Sequence, residues 1–349
     1  MFTIRFDEEA SLDVGLVGGK ALGLAHMTQS GLPVAPGFTV STRAYRQHLA
    51  DSGLGPRIGD LLRTLDHNGV GALEAAEAAI RGWFEEGEFP PSLRAEIEAA
   101  YGELCSRCGG QVIAVAVRSS ATAEDAEGAS FAGEYDTFVG MRGADEVALH
   151  IRRCWASAFT ARSMTYAWKN GVSPMQVEMA VVVQKAVRAR AAGVMFTLSP
   201  LTGDRSRITI EAAYGLGLSV VGGEVTPDRY VVSKIGLGLV QKTLGDKAVE
   251  YLNGAAAREV EPERRAQFCL SDEEAVALAR LGKSLERQNR RPVDIEFAID
   301  ADLDPGANVI LLQCRPETYW SRRHAAATAA PIDDPAKAVL ANTLRNVQP

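Results

Sequence analysis

The chain has 349 residues, 46% hydrophobic and 23% charged, with a net charge of −7, a profile that allows two lobes with separate cores and argues against a general nucleic-acid binder, which needs a basic surface. No apolar run nears the roughly 20 residues of a membrane span, and Met1-Phe2-Thr3-Ile4-Arg5 alternates like a strand, not a signal peptide. Five cysteines, an odd number, fit a reducing cytoplasm.

In chain order, Gly18-Gly19-Lys20 opens an apolar-periodic helix that closes near Gly31. A helix start carrying a lysine can cradle phosphate, and a plain helix start remains the alternative. It is not a Walker A loop, because position 14 is Val and Ala21 follows the lysine. Residues 32–40 read as a turn into a strand, with Ser41 or Thr42 capping the next helix. From about 43 to 110 the pattern is helical and alanine-rich. His48 and His67 there read as surface or packing residues, and Cys105 and Cys108 as two thiols near a helix end, since no second pair follows at zinc-ribbon spacing.

The run Val112-Ile113-Ala114-Val115-Ala116-Val117 predicts a strand covered on both faces, emptying into a loop that starts at Arg118-Ser119-Ser120. That layout suits an anion site at a sheet edge, or equally an exposed connection with a surface arginine. The apolar spacing from Val147 to Trp168 predicts one long amphipathic helix with its tryptophans in the core. Strands follow at 177–184, 192–197, 207–212 and 230–234. Ser271-Asp272-Glu273-Glu274 is a capping box that opens a further helix.

Residues 293–299 and 309–316 alternate as two strands around the turn-rich 300–308, which predicts a hairpin. Asp294 and Glu296 share one face, and Leu311, Gln313 and Arg315 share another. Should those faces coincide, they offer hard oxygen ligands for Mg²⁺ and a guanidinium fork for a polyphosphate. A surface hairpin with solvated charges is the alternative. Residues 317–349, rich in Ala, Pro and Asp from 324 on, read as a linker or docking tail.

Several stretches carry a resemblance to a known family: Val17-Gly18-Gly19-Lys20-Ala21-Leu22-Gly23-Leu24, Pro33-Val34-Ala35-Pro36-Gly37-Phe38, Val117-Arg118-Ser119-Ser120-Ala121, Phe131-Ala132-Gly133-Glu134-Tyr135, Gly193-Val194-Met195-Phe196-Thr197, Thr226-Pro227-Asp228, Asp294-Ile295-Glu296 and Gln313-Cys314-Arg315-Pro316-Glu317-Thr318. Collinear from about 14 to 318, they resemble the amino-terminal ATP-binding domain shared by phosphoenolpyruvate synthase, pyruvate phosphate dikinase and rifamycin phosphotransferase. The resemblance implies an α+β, two-lobed ATP-grasp fold with mixed or antiparallel sheets, lobes at 1–178 and 179–316, and ATP with Mg²⁺ between them.

Carried over residue by residue, the resemblance implies that Lys20 and Arg118 bind phosphate and act in catalysis with Arg315, the arginine beside the transferred group. It implies that Gly133 and Thr137 lie in a loop over the phosphates, and that Gln184, Lys185, Ala186 and Val187 form the adenine hinge. Glu296 and Gln313 match the metal ligands, Glu211 faces the cleft, and Asp294 fits a supporting or structural role. Full-length members continue into a swivelling domain with a phosphorylated histidine. His324-Ala325-Ala326 echoes that motif without its glycine-rich context.

The expectation is therefore a cytoplasmic ATP-binding subunit of a split phosphotransferase. It would pass a phosphoryl group from Mg·ATP to a histidine on a partner subunit, with AMP and phosphate as products. Phenylphosphate synthase is the best-matching organisation, which makes phenol the expected final acceptor. The alternatives are a pyruvate or antibiotic acceptor, or a nucleotide-sensing subunit without turnover.

Overall fold

In a computed structural model, the described residues are 1–67, 69–122, 135–252 and 257–321, together with the backbone of 125–126 and 129–130. Five strands, β1 (Thr3–Arg5), β2 (Gly37–Val40), β3 (Ala114–Ala121), β4 (Thr137–Arg142) and β5 (Met179–Lys185), form a first sheet in the order β1-β2-β5-β3-β4. Every pair is antiparallel. β5 is central, and Met179 to Gln184 are buried throughout. One face of this sheet packs on a helical layer whose core includes Phe84, Trp155 and Phe159.

Three expectations change here. Arg118 does not follow the strand but lies inside it, because Arg118 to Ala121 pair in register with Val182 to Met179 of β5. A boundary at 178/179 would cut off β5, which is paired on both edges within the first sheet, so by sheet membership the division falls after Lys185. The predicted single helix from Val147 to Trp168 is two, Ala144–Ala156 and Ala161–Lys169. Ser157 Oγ turns back to the Cys154 carbonyl at 2.7 Å, and Thr160 caps the second helix by accepting from the Ser163 amide; such side-chain bonds to backbone compete with helix continuation.

The second sheet contains β6 (Ala189–Phe196), β7 (Arg207–Tyr214), β8 (Asp228–Ser233), β9 (Leu239–Thr243), β10 (Val293–Asp300) and β11 (Val309–Pro316), in the order β9-β8-β7-β6-β10-β11. Its ladders are all antiparallel. Helix Asp272–Asn289, opened by the predicted Ser271/Glu274 capping box, joins one core with Ile210, Ala212, Ile295 and Phe297 through Ala275, Leu278 and Leu285. The alternate residues of β6, β7 and β10 therefore look the other way.

Helix α1 (Val14–Gln29) joins the two sheets. Val17, Ala21 and Leu24 pack in one core with Val182 of the first sheet and Leu311 of the second. Gly23 permits the approach, since a Cβ there would stand 2.9 Å from the Cys314 carbonyl oxygen. Leu311 also donates its amide to Pro33 at 2.8 Å. Away from this junction, Asp228 and Lys247 form a fully buried ion pair at 2.5 Å that ties β8 to the chain beyond β9.

Candidate active site

Directly paired residues in an antiparallel ladder project on the same side of the sheet. β10 and β11 pair Asp294 with Arg315 and Glu296 with Gln313, so these four share one face. The register then shifts, and Phe297 pairs with Leu311. This bulge at Leu312 was not visible in the alternation, and it puts Leu311 on the core side, away from Gln313 and Arg315. A bulge re-aims the residues beside it; here the Leu312 carbonyl accepts from Arg118 Nη1 at 2.8 Å.

The same guanidinium donates from Nη2 to Glu296 Oε2 and to Gln313 Oε1, both at 3.0 Å. Arg118 thus spans from the first sheet to three oxygens of the second. Lys20 is the next cation: its Nζ donates to the carbonyl of Ser119, adjacent to Arg118, at 2.6 Å, and its side chain is buried. Gly18 breaks α1 with φ of 74°, and a Cβ there would lie 2.1 Å from the Ser120 carbonyl oxygen, so only glycine fits. Ser120 Oγ donates to Val17 O at 2.8 Å and accepts from the Ala21 amide at 3.0 Å. The Ala21 amide is therefore engaged, and the expected phosphate cradle presents its lysine rather than that N–H. Ser119 and Ser120 were missed as positioning residues; their signal was a pair of hydroxyls directly after Arg118.

Asp294 lies on the floor of a small depression with Glu296, Gln313, Arg315, Val194 and Phe196. Burial pushes its carboxyl up to about 6, against the pull of Arg315, whose Nε is 3.8 Å from Asp294 Oδ2. Asp294 Oδ1 is buried and accepts no hydrogen bond from the described residues. An orphan carboxylate oxygen beside a second carboxylate and an amide oxygen is a donor set that fits Mg²⁺. Among the described residues no group of three or more His, Cys, Asp or Glu could hold a metal. Mg²⁺ does not require one, since it is usually bound by one or two carboxylates together with waters and phosphate oxygens.

The remaining residues spread outward. Gln184, buried, donates its amide to Ala35 O at 3.0 Å, while the amides of Lys185 and Ala186 donate to Pro36 O and Ala114 O, both at 2.9 Å. The amides of Lys185 and Ala186 are thus engaged within the protein, and Gln184 and Lys185 lie inside the ladder of the first sheet. Beside this segment, Ala189, Ala192 and Ala298 form a small apolar cluster flanked by Val187, Leu216 and Leu312. Glu211 lies two strands from Glu296 on the same face, through Val194, and pairs with Arg229 at 3.4 Å. Arg229 was missed, although it is simply the register partner of Glu211. Thr137, exposed, sits opposite Arg118 at the start of β4. Gly133 and His324 lie outside the described residues.

Two antiparallel sheets with their helices, bridged by Arg118 to Glu296 and Gln313, are consistent with an α+β domain of the ATP-grasp type. Residues 14–334 match the family of the pyruvate phosphate dikinase AMP/ATP-binding domain, and the chain belongs to that family. It is 43% identical over 317 residues to a probable phosphoenolpyruvate synthase of Methanothermobacter thermautotrophicus, covering 90% of this chain and 45% of that protein. Against the phosphoenolpyruvate synthase of Aeropyrum pernix the identity is 40% over 359 residues, covering 94% and 44%. Against that of Pseudomonas aeruginosa it is 39% over 343 residues, covering 93% and 43%. The chain thus spans less than half the length of these relatives. No helix among the described residues is long and apolar enough to cross a membrane.

Proposed function

We propose that this chain binds Mg·ATP between its two sheets and passes a phosphoryl group to a histidine carried by another domain or a partner subunit, with AMP and phosphate as products. The observation that carries this is the Arg118 guanidinium held across the cleft on Glu296, Gln313 and the Leu312 carbonyl, with Lys20 fixed to the neighbouring residue. Phosphoryl transfer asks a protein mainly for charge neutralisation and in-line placement. Lys20 and Arg118 take the phosphate charge, Arg315 stands beside the group in transit, and Thr137, the register partner of Arg118, borders the phosphates. Glu296 and Gln313 hold the Mg²⁺, which supplies further shielding of the phosphates. The backbone of 184–187 and the alanine cluster receive adenine, with Glu211 further along the same face. Such a catalyst belongs in the cytoplasm, where Mg·ATP is available.

Labelled nucleotide tests the assignment. With the histidine-bearing domain or subunit present, label from the β-position of ATP is expected on that histidine, and transfer of γ-label alone would refute the pyrophosphoryl scheme. For the final acceptor, the names of the relatives favour pyruvate, whose phosphorylated form is phosphoenolpyruvate, over phenol, the acceptor expected from a split organisation. Release of phosphate and AMP with each candidate acceptor decides between them.

A further inference from the structure

We propose that Arg118 competes with the divalent cation for Glu296 and Gln313, so that this chain takes up its metal with the nucleotide and not before it. This rests on the Mg·ATP assignment above and concerns the order in which that site fills. One nitrogen of Arg118 lies 3.0 Å from both Glu296 Oε2 and Gln313 Oε1. Those oxygens are the donors a metal would need, and Mg²⁺ draws its ligands in to about 2.1 Å. A guanidinium hydrogen-bonded to both oxygens competes with the metal for them.

The arginine is held in place by more than the carboxylate. Its second nitrogen is fixed on the Leu312 carbonyl that the β-bulge turns toward it, and its side chain is only 11% exposed against 27% for Glu296. Without a competing anion, a metal must therefore displace a largely enclosed cation, which would keep only its bond to the Leu312 carbonyl. A triphosphate changes this. It offers the guanidinium fork a better-matched partner, and once Arg118 turns to phosphate, Glu296 and Gln313 are open to the metal. Nucleotide and metal then raise each other's affinity, and the coupling is reciprocal.

Mn²⁺ serves as the probe, with free Mn²⁺ read by electron paramagnetic resonance in the absence of nucleotide. Arg118→Ala is expected to bind Mn²⁺ about tenfold or more tighter than the unaltered chain, and Arg118→Ala combined with Glu296→Gln is expected to lose that gain. Arg118→Gln, which keeps a donor for Leu312 without the charge, guards against a folding defect and is expected to behave like Arg118→Ala. Equal Mn²⁺ affinity of the unaltered chain and both single variants overturns the proposal, as does a gain that survives Glu296→Gln. Binding of a fluorescent ATP analogue is measured separately: its failure in the unaltered chain refutes the Mg·ATP assignment and leaves the Mn²⁺ comparison to decide the competition.

Discussion

Two ion pairs in this chain look alike on paper and differ in every physical respect. Asp228 and Lys247 are both fully buried, and each polar valence is closed within the protein. Lys247 Nζ donates to Asp228 Oδ1, Gly245 O and Arg265 O, while Asp228 accepts further from the amides of Gly245 and Cys269. Arg118 and Glu296 bridge the two sheets at the edge of solvent, and beside them Asp294 Oδ1 accepts no hydrogen bond from the described residues. A pair whose bonds are all closed holds three chain segments together and has nothing left to exchange. A pair with exposed edges and unfilled neighbours can trade one partner for another. The difference separates a closed framework pair from one whose bonding suits the proposed exchange with phosphate and metal.

The largest effect tests the framework side. Lys247→Ala leaves Asp228 charged and buried, and is expected to cost about 3–5 kcal/mol of stability, read by urea unfolding. The nucleotide affinity of the remaining folded protein should not change; a parallel loss would break the distinction. Next comes the cleft. Arg315→Ala is expected to slow phosphotransfer by about 10²–10³-fold, while unfolding shifts by no more than about 1 kcal/mol, because Arg315 is 39% exposed and its contact with Asp294 is long. Turnover that survives this change would move the site away from the hairpin.

How much of this was legible in the sequence follows from the same contrast. Glu296 and Gln313 sit on two alternating strands around a turn-rich loop, so local rules of period and turn chemistry predict the hairpin but leave open whether their faces coincide; the bulge at Leu312 is what sets the two opposite each other. The bulge at Leu312 escaped, because Val309-Ile310-Leu311-Leu312 is uniformly apolar and carries no glycine to mark it. Arg118 was expected past the end of its strand, since polar residues following an apolar run look like a loop; pairing with β5 keeps them in the ladder. The Asp228–Lys247 pair had no sequence signal at all. Lys247 stands in Gly245-Asp246-Lys247, a stretch that reads as solvated, and only tertiary packing makes it core. Local pattern shows what a strand presents, and not which distant backbone closes over a side chain.

A third ionisable group sharpens the comparison, because it is buried with no ionic partner. His48 lies among Phe84, Phe89 and Trp155, with neither ring nitrogen hydrogen-bonded among the described residues. Burial, helped by the charge of Arg152, lowers its pKa to about 4. The unfolded chain binds a proton at this histidine near pH 6.5 and the folded one only near 4, so stability is intact above about 6.5 and falls as pH drops through that window. The loss reaches about 3 kcal/mol at pH 4. His48→Phe should flatten the melting temperature between pH 6.5 and 4, and an unchanged slope would show that other groups dominate acid sensitivity.

The smallest effect falls where framework and cleft meet. Ser120 is fully buried like Asp228, yet it holds the Gly18 break that aims Lys20. Ser120→Ala removes one hydroxyl that serves both Val17 O and the Ala21 amide, and leaving these groups unsatisfied costs about 1–3 kcal/mol. Should Ser120 act only as framework, thermal unfolding shifts and the affinity for Mg·ATP does not. Should it position the lysine, affinity also falls, by up to about tenfold for 1.4 kcal/mol transmitted to the bound state. The second outcome is expected. The Ser119 carbonyl that receives Lys20 Nζ and the Arg118 guanidinium lie on the same strand within two residues of Ser120, so a shift of this strand displaces both cations at once.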